Sequence, residues 1–167
     1  QDGELKVRGI ALRRRDTCTL ARELQQGMLD RLALGEDAEG FRHRIPEALD
    51  VLDTFVRNLR DMETPLEKLV LSKRITRELS EYRQRNDQFR ALCQLEDRGF
   101  RTPPGEAVEF VLTPGKEVKV AQFLEGTEGY DAGRYEELLF RAAGELLSPF
   151  DLGQVRLGEF YRRNGAK

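Results

Sequence analysis

The chain has 167 residues, of which 39% are hydrophobic and 35% charged, and its formal net charge is −2. It is long enough to bury a core as one domain, and the charge balance excludes a whole-surface nucleic-acid binder. No apolar run approaches the roughly 20 residues of a membrane span, and the start lacks the pattern of a secretory signal. Cys18 and Cys93 stand far apart and His43 is the single histidine, which argues against a metal site. The two thiols are expected to be structural, in a reducing cytoplasm.

Gln1-Asp2-Gly3 reads as a turn taken from within a hairpin, as expected of an excised piece; trimming of a natural terminus would look the same. Residues 4–13 alternate apolar and polar positions, with Gly9 where the phase slips, and predict a strand with a bulge. Asp16, Thr17 or Thr19 can cap the helix that follows, whose apolar positions are Leu20, Leu24, Met28 or Leu29, and Leu32. Gly35 to Gly40 is an acidic loop. Pro46 is placed to begin a second helix, striped by Leu49, Leu52, Phe55, Val56 and Leu59. Thr64-Pro65 then introduces a basic segment.

Asn86 or Asp87 caps a third helix, with Phe89, Leu92, Cys93 and Leu95 inward and Gly99 closing it. Pro103-Pro104-Gly105 turns into two short strands, 107–112 and 118–123, around Thr113-Pro114-Gly115-Lys116. Asp131 caps the last long helix, striped by Tyr135, Leu138, Leu139, Ala142 and Leu146, and Ser148-Pro149 stops it. The expected fold is mainly α with a small β insertion, preceded by a strand.

Charge is unevenly spread. Residues 8–16 carry four Arg against one Asp, residues 68–85 six Lys/Arg against two Glu, and residues 105–137 eight acids against three bases. A chain polarised in this way can present one basic face although its sum is near zero. The segment KLVLSKRITRELSEY, Lys68 to Tyr82, opens apolar and runs straight into Lys73, Arg74, Thr76 and Arg77. The segment reads as a strand-to-helix junction: cations supply charge there, while the Thr and Tyr hydroxyls and free N–H groups at a helix start supply geometry, which suits phosphate oxygens. No phosphate-binding GxxxxGK[ST], no GxGxxG and no HExxH occurs, and no pair of acids lies between apolar strands where two metals could be held. His43, within Arg42-His43-Arg44, is expected at the surface. The chain reads as a binding element rather than a catalyst.

Four motifs in order resemble the thumb of a family B DNA polymerase of the archaeal and related bacterial type. Arg8-Gly9-Ile10-Ala11-Leu12-Arg13-Arg14-Arg15-Asp16 is similar to the segment by which that family leaves the palm. Lys73-Arg74-Ile75-Thr76-Arg77 with Glu81-Tyr82 resembles the family's IT(R/K)xLxxY thumb motif. Gly99 through Pro104-Gly105 with Val108–Leu112, and Tyr130-Asp131 with Tyr135, resemble two further stretches. One departure follows Tyr82: many members carry Gly-Pro-His there, where this chain has Arg85-Asn86-Asp87-Gln88.

The resemblance implies an end of palm over 1–15, a helical thumb over 16–150 and a tail over 151–167. It implies a duplex grip behind the active site. Arg14 and Arg15 would lie near the primer strand, and Lys73, Arg74, Thr76, Arg77 and Tyr82 would hold backbone phosphates. Asp16 would cap a helix or pair with an arginine. The implied partners are primer–template DNA and the palm, fingers and exonuclease domains. No cofactor is expected on this chain itself; Mg2+ would belong to the palm. The implied setting is the cytoplasm, at the nucleoid.

In the tail, Gln154, Leu157, Phe160 and Tyr161 form a QxxLxxFY pattern similar to the sliding-clamp box of replication proteins. The three apolar side chains would plug a pocket on the clamp while Gln154 hydrogen-bonds beside it. Alternatively, Leu157 and Phe160 pack back onto the thumb. Against the polymerase reading as a whole stands a helical protein- or RNA-interaction module. A naturally separate subunit of a split polymerase would be a variant of the first.

Overall fold

The computed structural model describes residues 17–165. The expected strand over 4–13, Arg14, Arg15 and Asp16 lie outside the described residues, as do the side chains of Phe160, Arg162 and Arg163. The fold is mainly helical with one small antiparallel sheet, as expected. It divides into two compact units. One holds Thr19–Glu63 and the chain from Ala132 onward; the other centres on Thr64–Asp131.

The first unit packs α1 (Thr19–Leu32), α2 (Ala38–Arg60), α4 (Ala132–Leu147) and α5 (Gln154–Gly165). Leu20, Leu24, Met28, Leu29 and Leu32 of α1 are all buried, so both candidates at the third position face inward. Gln25 is wholly buried among them, donating from Nε2 to the Ala142 carbonyl at 2.6 Å and to Glu145 Oε2 at 3.0 Å. Between α1 and α2 the backbones nearly touch: a Cβ on Gly35 would lie 2.2 Å from the Gly40 carbonyl carbon.

Helix α2 begins eight residues before the expected start. Asp37 caps it, its side chain accepting from Gly40 N at 2.8 Å, and Pro46 lies inside the helix. An interior proline lacks an N–H and crowds the preceding turn, costing about 3 kcal/mol. Here the apolar spacing runs unbroken through it, so that Phe41 and Ile45 join Ala48, Leu52, Val56 and Leu59 in the core. Burying those two side chains is worth about 1.5–3 kcal/mol each, which offsets the proline. Leu49 and Phe55 are only half-buried. On the polar side, Arg60 binds Glu136 Oε1 of α4 through Nε at 3.0 Å and a terminal nitrogen at 2.7 Å.

The second unit is a three-stranded sheet in the order β1 (Leu71–Arg74), β2 (Ala107–Thr113), β3 (Glu117–Val120), with α3 (Asp87–Asp97) packed on it. Strand β1 takes up the end of the apolar run at Leu71 and carries it into two cations, Lys73 and Arg74. Its register pairs Leu71 with Phe110 and Arg74 with Ala107. β3 is shorter than expected, ending at Val120 before a 3-10 turn over Ala121–Phe123. Gln94 clasps β3, donating to the Val118 carbonyl and accepting from Val120 N at 3.0 Å. Asn86 caps α3, accepting from Phe89 N at 2.9 Å, and Gly99 ends it at φ 82° with Phe100 N donating to the Leu95 carbonyl. That is the left-handed closure glycine favours.

Candidate nucleic-acid interface

The basic segment is carried outward by a single buried anchor. Ile75 is fully buried; its N–H donates to the Glu106 carbonyl at 2.7 Å and its carbonyl accepts from Gly105 N at 2.8 Å. These bonds extend the pairing of β1 and β2 by one residue, after which Thr76 and Arg77 emerge exposed. No α-helix follows, in contrast to the expected strand-to-helix junction. A single 3-10 turn, Leu79–Glu81, takes its place. Its two acids are structural: Glu78 and Glu81 form a reciprocal capping box, with Glu78 N donating to Glu81 Oε1 at 3.1 Å, and Arg101 sits 3.4 Å from Glu78.

The structure brings only part of the expected cluster together. Thr76, Arg77 and Tyr82 line one open cleft of about 360 Å³, joined by Arg83, Gln84, Asn86 and Gln88. Lys73 and Arg74 do not line it. Successive strand side chains leave on opposite faces, so half-buried Lys73 shares a face with Leu71 while exposed Arg74 points the other way. Of the four additional lining residues, Asn86 and Gln88 come from the stretch where the chain departs from the family's pattern, and Arg83 and Gln84 from just before it. The signal for them was Asn86, a helix cap that necessarily brings the polar residues around it to the end of α3.

Tyr82 is braced against Phe89 of α3, with ring centroids 6.2 Å apart and planes at 53°. Its hydroxyl oxygen is buried and has no hydrogen-bond partner among the described residues. Nearby, burial, then the Asp97 and Glu96 carboxylates, push the Cys93 thiol above its ordinary 9.0, while Arg85 opposes the shift. That keeps it protonated and unreactive at neutral pH. Among the described residues no group of three His, Cys, Asp or Glu side chains is placed to hold a metal ion, and no helix is long and apolar enough to cross a membrane.

At the other end of the chain, the four clamp-box positions fall on α5. Gln154 is exposed, but Leu157 is 2% exposed and Tyr161 8%. The Tyr161 ring stacks on Phe140 of α4 at 5.1 Å. Burial, then the charge of Asp53, pushes its phenol up to about 12. In this conformation the two side chains serve packing, and a clamp pocket would have to compete with α4 for them.

Residues 1–138 match the family model of DNA polymerase family B. The DNA polymerase of Thermococcus hydrothermalis is 26% identical over 184 residues, an alignment covering all of this chain and 11% of that protein. That of Thermococcus sp. strain 9oN-7 is 27% identical, covering all of this chain and 23% of the relative. Among solved structures, the family B DNA polymerase from Pyrobaculum calidifontis superposes with a TM-score of 0.65 at 23% identity, over 78% of this chain and 18% of that one, which speaks for the fold alone. The chain thus spans under a quarter of the curated relatives it matches. The family match takes in both basic segments and all three strands, and on that ground the chain belongs to DNA polymerase family B.

Proposed function

We propose that this chain is the thumb of a DNA-directed DNA polymerase and grips the primer–template duplex through backbone phosphates during synthesis. The observation that carries this is the convergence of Thr76, Arg77 and Tyr82, with Arg83, on one cleft at the end of a short strand. Guanidiniums and hydroxyls bind phosphate oxygens without reading sequence, as a polymerase that copies any template requires. Lys73 and Arg74, on opposite faces of β1, add charge to the field rather than contacts within the cleft. Arg14 and Arg15 are assigned to the primer side of the palm junction.

In this proposal the thumb contributes no bond-making step. Nucleotidyl transfer, and the Mg2+ that supports it, belong to the palm, and this chain alone is expected to be inactive. Its contribution is to hold the duplex in register between additions, which sustains processivity. Binding of a sliding clamp through Gln154, Leu157, Phe160 and Tyr161 belongs to a state in which α5 has left α4.

The salt dependence of primer–template binding by the polymerase tests the proposal. With about five phosphate contacts in the thumb, its share of the log–log slope is roughly −4 to −5, and each contact removed flattens the slope by about 0.9. Arg77→Ala should weaken binding and flatten the slope by that amount. A slope unchanged in both Arg77→Ala and Lys73→Ala removes the segment from the interface.

A further inference from the structure

We propose that the surface at the C-terminal end of α3 is a stacking platform for an unpaired base of single-stranded nucleic acid, with the Phe100 ring as its plate. Among the described residues Phe100 is the one aromatic side chain more than half exposed, at 53%. Gly99, at φ 82°, turns the chain there, and Phe100 N donates to the Leu95 carbonyl at 2.9 Å. In such a closure the residue after the glycine commonly folds its apolar side chain back onto the last turn. That accounts for an apolar residue at this position but not for a ring left half in water. Phe100 meets Phe123, with ring centroids 6.1 Å apart and planes at 53°, so the rings stand at an angle and do not cover each other. The Arg98 guanidinium lies over the Phe123 ring at 4.3 Å, which leaves Phe100 as the open ring of the pair.

The surroundings select the ligand. A cleft of about 220 Å³ adjoins the rings, lined by Gln94, Asp97, Arg98, Lys119 and Phe123. Sites that enclose a drug-sized molecule span roughly 300–1,000 Å³, and a stable protein interface needs about 800 Å² on each partner. One flat ring suits a site of this scale better than either. Gln94 holds the cleft in shape, because both ends of its amide are bonded to β3. Arg98, Arg101 and Lys119 supply charge complementary to a polyanion, and the exposed contact of Arg101 with Glu78 is one that a phosphate can displace. Asp97, the one acid lining the cleft, repels phosphate, so the cleft takes the edge of a base while the backbone runs past Arg98 and Arg101. Stacking is indifferent to sequence because every base has a π-face. The platform lies at the far end of α3 from the Thr76–Arg77–Tyr82 cleft, and an 11-residue helix spans about 16 Å. Only the source of the strand, unpaired template next to a gripped duplex, rests on the proposed function.

Titration of the protein with a single-stranded DNA of about eight nucleotides tests the platform, with an abasic strand of the same length and a blunt duplex for comparison. Resonances of the Phe100 ring and the Arg98 side chain report it. Saturable shifts are expected there with the single strand and not with the abasic one. Affinity for the single strand should fall about tenfold in both Phe100→Ala and Phe100→Leu and be kept in Phe100→Tyr. The position is exposed, and an unchanged amide spectrum elsewhere checks that each variant is folded. Equal binding of the abasic strand, or wild-type affinity in Phe100→Leu, would show a contact made by charge or by plain apolar area, as on a protein-docking surface, and would overturn the proposal. Single-strand shifts confined to Thr76, Arg77 and Tyr82 would overturn it too, while leaving the duplex grip standing. Shifts at Phe100 with the single strand, in a protein whose Arg77 ignores blunt duplex, would sink the grip and keep the platform.

Discussion

Gly144 is where the docking of α5 can be challenged most cleanly. A Cβ added there would stand 2.5 Å from Gln154 N and 3.1 Å from both Gln154 Cα and the Gly153 carbonyl carbon. Ordinary contact begins near 3.4 Å, so the shortfall is 3.4 − 2.5 = 0.9 Å. All three neighbours are backbone atoms, and no rotamer change can relieve the clash. Helix α5 must either shift by about an ångström or leave α4. A shift of that kind typically costs about 1–3 kcal/mol. Departure forfeits the burial of Leu157, worth about 1.5–3 kcal/mol, together with the stacking of Tyr161 on Phe140. Gly144→Ala should therefore destabilise the first unit by about 1–3 kcal/mol in denaturant unfolding, and proteases should cut within residues 154–161 more readily. If clamp binding belongs to the undocked state, the same variant should bind a sliding clamp more tightly than wild type. A wild-type unfolding midpoint and undiminished protection of α5 would refute the packing argument.

Three further outcomes follow from the helical unit. Gln25→Ala removes the donor to the Ala142 carbonyl and one donor to Glu145, and opens a gap between α1 and α4, so thermal unfolding should report a loss of about 2–3 kcal/mol. Pro46→Ala lets an exposed position inside α2 regain its helical hydrogen bond, and a stabilisation of about 1–3 kcal/mol is expected from denaturant titration. The Tyr161 phenol is raised from 10.0 to about 12 in the folded protein, so the folded state holds the proton more tightly than the unfolded chain. That contribution to stability is fully present below about pH 10 and is lost as pH rises through about 12. Unfolding followed against pH should show a loss across that window in wild type, and Tyr161→Phe should abolish it.

Helix periodicity carried most of the fold into view. The stripes of α1, α3 and α4 were legible because each buries one face at regular spacing, and Asn86 and Gly99 marked both ends of α3 by chemistry that seldom serves elsewhere. Pro46 misled because local propensity was weighed above the apolar positions at Phe41 and Ile45, and burial won. The strand side of the junction after Lys68 was legible as an apolar run, but its pairing with the distant β2 was not, and the 3-10 turn that stands in place of a helix follows from the Glu78–Glu81 capping box. In the candidate interface, Thr76, Arg77 and Tyr82, which meet at one cleft, could be listed together from their motif. Their separation from Lys73 and Arg74 could not, since it depends on where the strand of that junction begins and ends. The buried Tyr82 hydroxyl is a property of packing around Phe89 and leaves no mark in the sequence. The tail shows the same limit, because QxxLxxFY has one spacing for a clamp pocket and for a neighbouring helix.

The most direct test of the duplex grip is a low-salt titration of this chain with primer–template duplex, using single-stranded DNA for comparison, with chemical shifts followed residue by residue. The expected result is shifts concentrated at Thr76, Arg77 and Tyr82 to Gln88, larger for duplex than for single strand and suppressed by salt. Shifts confined to other surfaces, or equal responses to both forms of DNA, would contradict it.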